Sequence, residues 1–234
     1  TRGHLTLQAK KISKSRNWYI GLKDFLQIFP ADYLRFYLVS INPYSQDDLN
    51  FDWDEFATKI NSELIGNLGN LVNRALGFTV KTFDGVVPDP GEFDDMDKES
   101  EKAIKDLVSD VGTLMEQNHL DRALKKILQF SAHFNQYFQH KEPWKKNPGT
   151  NSCVFLSVNA VRSLAIAIYP FLPKSSQKIW AQLGMNDDVS TQSFDEMSKI
   201  VINQGHKLGE VSPLFEKVEE SIIEEQKKKL GADI

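Results

Sequence analysis

Apolar residues recur every three or four positions along most of this chain, and only the first twenty residues depart from that period. His4-Leu5-Thr6-Leu7-Gln8 alternates and predicts a short strand, and Trp18-Tyr19-Ile20 reads as a second extended piece. Leu22 to Ile28 forms a short amphipathic helix. Pro30 belongs to the first turn of another, running to about Ile41, because a fixed φ and a missing donor suit that place. Asn42-Pro43-Tyr44-Ser45 breaks it, and Gln46 to Asn50 reads as polar loop.

The next start signal is unusually complete. Asp52 can cap a helix, Glu55 can return the bond as a capping box, and Phe51 and Phe56 flank them as a hydrophobic staple. Trp53, Phe56, Ala57, Ile60, Leu64, Leu68, Leu71, Ala75 and Phe78 then keep helical spacing, so this helix runs to about Phe78, with Phe83 to Gly91 as loop. Three long helical patterns follow, at about 93–117, 120–141 and 151–168. Pro143 and Pro148 interrupt the last two, and Pro170 and Pro173 end the third. Lys174 to Leu183 is a short helix, 184–193 is polar, and Pro213 to Leu230 predicts a final, highly charged helix. The expected fold is mainly α: a helical bundle (49–234) behind a small α/β segment (1–48).

Composition narrows this little. The chain has 234 residues, 41% hydrophobic and 26% charged, which is ordinary globular usage. No run approaches the ~20 apolar residues of a membrane span, so no membrane partner is expected. A single cysteine, Cys153, cannot pair internally, and no Cys/His set has ligand spacing, so no metal site is expected. The net charge of −4 excludes a surface coated in basic residues. Charge is segregated, however. Arg2, Lys10, Lys11, Lys14, Arg16 and Lys23 all precede the first acid, Asp24, while acids gather from Asp84 to Asp110.

That segregation points to candidate chemistry. Lys11-Ile12-Ser13-Lys14-Ser15 crowds two ammonium groups and two hydroxyls together, which suits a polyphosphate; a solvated lysine-rich turn has the same composition. On the long helix, at about 100° per residue, Asn70 and Arg74 lie about 75–115° to one side of the apolar face. Gly66 extends that stripe backwards, and Gly66 and Gly69 each cost about 1 kcal/mol in a helix interior. Either a neighbouring helix packs close there or a ligand lies along the stripe, met by the planar, multi-donor ends of Asn70 and Arg74. Trp144, stiffened by Pro143 and set among Lys141, Lys145 and Lys146, is placed either to stack on an unpaired base or to close the bundle's end as a lid. His133 and His140 share a helix face, but two ligands without a third make no metal site. No serine, cysteine or aspartate set suggests a nucleophilic hydrolase.

The basic pentapeptide resembles the nucleotide loop of class I aminoacyl-tRNA synthetases, usually Lys-Met-Ser-Lys-Ser. Phe29-Pro30-Ala31-Asp32-Tyr33-Leu34-Arg35-Phe36-Tyr37-Leu38, Asn50-Phe51-Asp52-Trp53, Glu63 to Arg74, Phe83-Asp84-Gly85 and Glu142-Pro143-Trp144 follow in order. Together they resemble the methionyl-tRNA synthetase family from its nucleotide loop through its anticodon-binding bundle, over most of residues 5–170. The resemblance implies that Lys11, Ser13 and Lys14 belong to the catalytic loop, with the two lysines on ATP phosphates, and that residues 20–50 bear on the inner bend of tRNA. It implies that Asn70, Arg74, Pro143 and Trp144 meet a CAU anticodon. It further implies tRNA(Met), initiator and elongator, as partner, and methionine and ATP with Mg2+ in a cytoplasmic intact enzyme. Ile12 departs from the family's methionine, and Gly66 stands where relatives carry a third asparagine, which Asn67 beside it could replace. The family's nucleotide-binding fold would lie before residue 1, so the chain is expected to carry no bound cofactor and to be inactive alone. A corresponding part of the Cys, Ile, Leu or Val enzymes, or a helical protein-interaction module, are the alternative readings.

Overall fold

The computed structural model describes residues 3–43 and 47–231. Strand β1 (Leu5–Leu7) pairs antiparallel with β2 (Lys10–Lys11), Thr6 facing Lys11, and parallel with β3 (Leu49–Phe51), Leu7 facing Phe51. The β1–β2 turn places Gln8 and Ala9 at φ 49° and 58°, the left-handed region that non-glycine residues seldom enter. Side chains hold it there: Ala9 N–H donates to Asn50 Oδ1 at 2.7 Å, and Gln8 Oε1 accepts from Trp53 N–H at 2.9 Å. Of the expected polar loop at 46–50, Gln46 lies outside the described residues, and Leu49 and Asn50 belong to a strand. Asp47 and Asp48 are exposed, but Phe51 is buried beneath them. Trp18-Tyr19-Ile20 forms no strand; Trp18 only bridges Ser13 across the basic loop.

Helices α1 (Leu22–Ile28) and α2 (Ala31–Ser40) fall where the periodicity puts them. Phe25, Phe29, Tyr37, Phe51, Trp53 and Phe56 then knit sheet and helices together, with ring centroids 4.9–6.1 Å apart. Asp52 caps the long helix by accepting from the N–H of Asp54 and of Glu55. The reciprocal half of the capping box is missing, because Tyr37 has taken it. Its hydroxyl donates to Glu55 Oε2 at 2.9 Å and accepts the Asp52 N–H at 3.1 Å.

The long helix runs past Phe78 to Phe83 in three parts: α3 (Trp53–Lys59), a π-helical stretch (Ile60–Gly69) and α4 (Asn70–Phe83). Ile60, Leu64 and Leu68, all fully buried, are spaced by four, a row that the wider π turn keeps facing the core. Helices α5 (Asp95–Glu116), α6 (Leu120–Lys141), α7 (Thr150–Ile168) and α8 (Pro173–Gln182) complete the bundle. Helix α7 is long and apolar enough to cross a membrane, yet 94% of that window is buried by its neighbours, as the central helix of a bundle must be.

The predicted final helix is shorter than expected. Only α9 (Glu220–Lys228) forms, and residues 199–219 lie as an extended strap over the bundle. The strap pairs briefly with the loop after α4, where Gly205 N–H donates to Val87 C=O, Val87 N–H to His206 C=O and Leu208 N–H to Gly85 C=O, and side chains satisfy much of the rest. Asn159 accepts from Val201 and Ile202 N–H and donates to Ile202 C=O; Asn61 bonds both backbone groups of Val218; the Tyr33 hydroxyl does the same for Glu216. Phe215 packs on Gly69, where a Cβ would approach its ring to 3.0 Å, so one of the two helical glycines is explained by a strap ring rather than by a helix. Replacing Asn159, which is fully buried, by alanine orphans both Ile202 groups. Urea unfolding of Asn159→Ala should show a loss of about 2–5 kcal/mol, and a loss under 1 kcal/mol would mean that water takes over the bonds.

Candidate functional site

Two groups of candidate residues lie at opposite ends of the long helix. From Trp53 to Arg74 that helix rises roughly 30 Å at 1.5 Å per residue.

At the first end the basic loop is a closed hairpin. Ser13 and Trp18 exchange both backbone bonds at 2.8 Å, Trp18 Nε1–H donates to Leu7 C=O at 2.9 Å, and Asn17 C=O accepts from Gly231 N–H beyond α9. Lys10 spends its charge over the Trp18 ring, 4.4 Å from the centroid. Ser13 and Ser15 hydroxyls meet at 3.2 Å, and Arg16 Nε–H leans on Ser13 Oγ at 3.4 Å. Lys11 and Lys14 are exposed, and their ammonium groups have no partner among the described residues. The hairpin thus offers two unspent point charges beside two hydroxyls.

The second end is built around Asn135, which sequence reasoning missed. The π stretch ends there, and the Asn67 carbonyl accepts from Asn135 Nδ2–H at 2.9 Å and Ser131 Oγ–H at 3.3 Å as well as from the helix. Asn67 itself is committed to packing: its amide donates to Leu128 C=O at 2.8 Å, and its Oδ1 accepts from Asn135 at 3.1 Å. Asn135 Oδ1, fixed this way, receives Asn70 Nδ2–H at 2.7 Å. One turn on, Arg74 donates to Gln139 Oε1 at 2.9 Å and more weakly to Asn135 C=O at 3.4 Å. Its guanidinium lies 5.0 Å from the Phe138 ring centroid and 5.9 Å from that of Trp144. Asn135 and Gln139 sit one turn apart on α6, as Asn70 and Arg74 do on α4. That matching pair of polar i, i+4 steps was the available signal.

Trp144 is 44% exposed on a single 3₁₀ turn, Pro143–Lys145, that ends in left-handed residues on both sides, Glu142 and Lys146. Asn147 donates to Lys141 C=O at 2.7 Å, and the Thr150 hydroxyl donates to Pro143 C=O at 3.2 Å. The indole is neither sealed nor loose, and it lies 6.5 Å from Phe138. Of the three neighbouring lysines only Lys146 is unspent among the described residues. Lys145 pairs with Glu142 at 2.7 Å, and Lys141 is 7% exposed.

Lys141 holds this end together. Its ammonium bonds Asp97 Oδ1 at 2.6 Å and Asp94 Oδ2 at 2.7 Å, the two carboxylates that form the capping box of α5. Tyr137 donates to the same Asp97 oxygen at 2.6 Å. Gly149 leaves room for the arrangement, since a Cβ would stand 3.2 Å from Lys141 Nζ. Burial works against the charge on Lys141, but the hydrogen bonds of Asp94 and Asp97 outweigh it and raise its pKa. The Lys141 bond holds the Asp94 carboxyl below its ordinary range. Burial pushes the nearby Cys153 thiol up to about 12, leaving it unreactive. His133 shares a bond with Ser100 Oγ, and burial lowers its pKa. No group of three or more His, Cys, Asp or Glu has metal-holding geometry among the described residues.

Comparison with known proteins gives a consistent result. A family model described as the anticodon binding domain of methionyl tRNA ligase matches residues 87–233, and one described as class I tRNA synthetases (M) matches 1–76. Methionine–tRNA ligase of Pyrococcus horikoshii is 41% identical over 94% of this chain and 30% of its own length. That of Methanosphaera stadtmanae is 36% identical over 97% and 36%. A solved structure of Mycobacterium tuberculosis methionyl-tRNA synthetase with methionyl-adenylate superposes with a TM-score of 0.84 at 27% identity, covering 92% of this chain and 43% of that one. The chain therefore spans about a third of the length of these curated relatives.

Lys141→Met removes one partner of a buried pair and should cost about 3–5 kcal/mol in urea unfolding. The parent's stability should show two pH edges. Asp94 contributes fully above its unfolded value near 3.8 and loses that contribution as pH falls through its lower folded value. Lys141 contributes fully below 10.5 and loses it as pH rises through its higher folded value. Thermal melts across this range should flatten at both edges in the variant; an unchanged profile would show the network to be inert.

Proposed function

As a member of the methionyl-tRNA ligase anticodon-binding family, this chain serves, we propose, to read the CAU anticodon of tRNA(Met), initiator and elongator alike, for an intact enzyme that joins methionine to that tRNA with ATP in the cytoplasm. One observation carries the reading. A half-exposed indole on a fixed turn stands 5.9 Å from an arginine that belongs to the same polar row as Asn70.

Trp144 offers a flat face to an unpaired base, and Pro143 removes the backbone freedom that binding would otherwise cost. Asn70 and Arg74 are held by exchangeable partners, Asn135 Oδ1 and Gln139 Oε1. On binding they trade these for base edges, an amide presenting donor and acceptor together and a guanidinium presenting a planar fork. Packing pre-forms the site, so little ordering entropy is lost. Gly66 is exposed and adds no side chain, and Asn67 is spent on α6, so the reading rests on Asn70, Arg74 and Trp144.

At the other end Lys11, Ser13 and Lys14 would steady the phosphates of ATP while the adenylate forms. The loop from Lys10 to Arg16 contains no carboxylate. It fits phosphate oxygens rather than Mg2+, which would travel with the nucleotide. Residues 1–48 then serve the ATP end and the inner bend of tRNA, and residues 49–234 the anticodon end, over one shared core. Joining methionine to ATP also needs groups that orient the two, and neither end proposed here supplies them.

Trp144→Ala should weaken binding to tRNA bearing CAU by about 1–3 kcal/mol. Arg74→Ala should also narrow the gap between CAU and other anticodons. Equal loss across all anticodons would place Arg74 on phosphate instead, and unchanged affinity in the Trp144 variant would leave that residue a lid. Mixed with ATP and methionine, the chain should give no burst of methionyl-AMP; a burst would refute the division of labour.

A further inference from the structure

Behind the basic hairpin a cleft of about 800 Å3 opens between α1 and α9, within the range of roughly 300–1,000 Å3 typical of small-molecule sites. None of the residues assigned above to phosphate or anticodon lines it. Its far wall is fixed at both ends. Lys227 ties α9 to Asp54 at 2.6 Å, and Gly231, just beyond α9, donates to Asn17 C=O at 2.9 Å. The floor is apolar: Ile20, Ile28, Ile222 and Leu230 lie half-buried against the core. Trp53 adds only carbon to it, because its indole nitrogen is sealed from solvent.

Two polar side chains border this floor without a partner among the described residues. Gln226 on α9 is 9% exposed, a depth at which an amide is ordinarily hydrogen-bonded, yet it makes no bond to the protein. Its amide atoms are not sealed as the Trp53 nitrogen is, so the cleft is what they face. On α1, Asp24 is exposed and has neither hydrogen bond nor ion pair. Its Oδ2 folds back over Gly21, where any Cβ would collide with it, so the glycine is what lets the carboxylate lie there. Glu225 and Lys229 bond each other at 3.0 Å and cancel, which leaves the lining with one unbalanced negative charge. We propose that this cleft binds a small organic cation with a flat apolar body: an amidine, a guanidine or a protonated amino-heterocycle. Its planar N–H groups donate to the Asp24 carboxylate and to Gln226 Oε1 while its body covers the floor. An anion would meet an unpaired carboxylate, and a hydrocarbon would leave the Gln226 amide unbonded. An occupant also touches Asn17, through which α9 holds the hairpin, so it reinforces that contact. The site is independent of the anticodon reading.

Three probes of one shape test the charge: benzamidine, its neutral relative benzamide and the anion benzoate, each titrated calorimetrically into the 234-residue chain. Benzamidine should bind saturably with one site, about tenfold or more tighter than benzamide, and benzoate should not bind. Asp24→Asn should weaken benzamidine about 10–30-fold and leave benzamide unchanged, and Asp24→Glu should recover part of the loss. Gln226→Met, of equal length, should weaken benzamidine about 3–10-fold without lowering the melting temperature, because the amide bonds nothing in the free protein. Trp144→Ala should leave benzamidine affinity as it is; a loss there would put the probe at the other end of the molecule and overturn the proposal. Absence of saturable binding, equal affinity for benzamidine and benzamide, or full affinity in both the Asp24→Asn and Gln226→Met variants overturns it too, and leaves the cleft to water.

Discussion

One buried ammonium sets the geometry on which the proposed anticodon end depends. Lys141 closes α6, and its two carboxylate partners open α5, so a single charge ties the end of one helix to the start of another. Such a pair gains little net stability, because desolvating both ions offsets most of their attraction. It gains direction instead. With Nζ bound to Asp94 and Asp97 and its carbonyl bound by Asn147, the chain leaves α6 along one path, through a left-handed Glu142 into the Pro143 turn. Trp144 is thereby aimed by contacts that never touch it.

The polar row opposite the indole follows the same economy. A ten-residue π stretch widens the long helix just before Asn70, and the Asn67 carbonyl becomes an acceptor for α6. Asn135 then passes the constraint to Asn70 and Arg74. Each group is satisfied in the free protein, so none carries the cost of an orphaned buried amide, yet Asn70 and Arg74 each keep donors in reserve. A site of this kind is stable when empty and still available for exchange.

The extended strap shows how a bundle can be covered without another helix. Residues 199–219 have no helical pattern; Gly205 to Leu208 pair with Gly85 to Val87, and elsewhere side chains such as Asn159, Asn61 and Tyr33 satisfy the backbone. Those side chains belong to helices far away in sequence. Nothing within 213–230 signals that its first third is better served from outside, and the charged, amphipathic composition there invites a longer helix.

Helix positions were legible because burying one apolar face needs a period, and a period is written locally. Residues 22–28, 30–41, 93–117 and 120–141 all read correctly, as did the motifs that carry the family resemblance. Local sequence also identified Asn70, Arg74 and Trp144 as side chains with polar or planar surface to spare. Their meeting was not local. It required the turn after α6 to fold back by way of Lys141 and Asp97, and it required Asn135 to join two helices sixty-odd residues apart. The same holds for Tyr37 displacing Glu55 from its expected cap, for Phe215 filling the space over Gly69, and for the commitment of Lys141 and Asn67 to packing. Residue chemistry is a property of the chain, whereas which neighbour spends a charge or an amide depends on distances that exist only once the helices have packed.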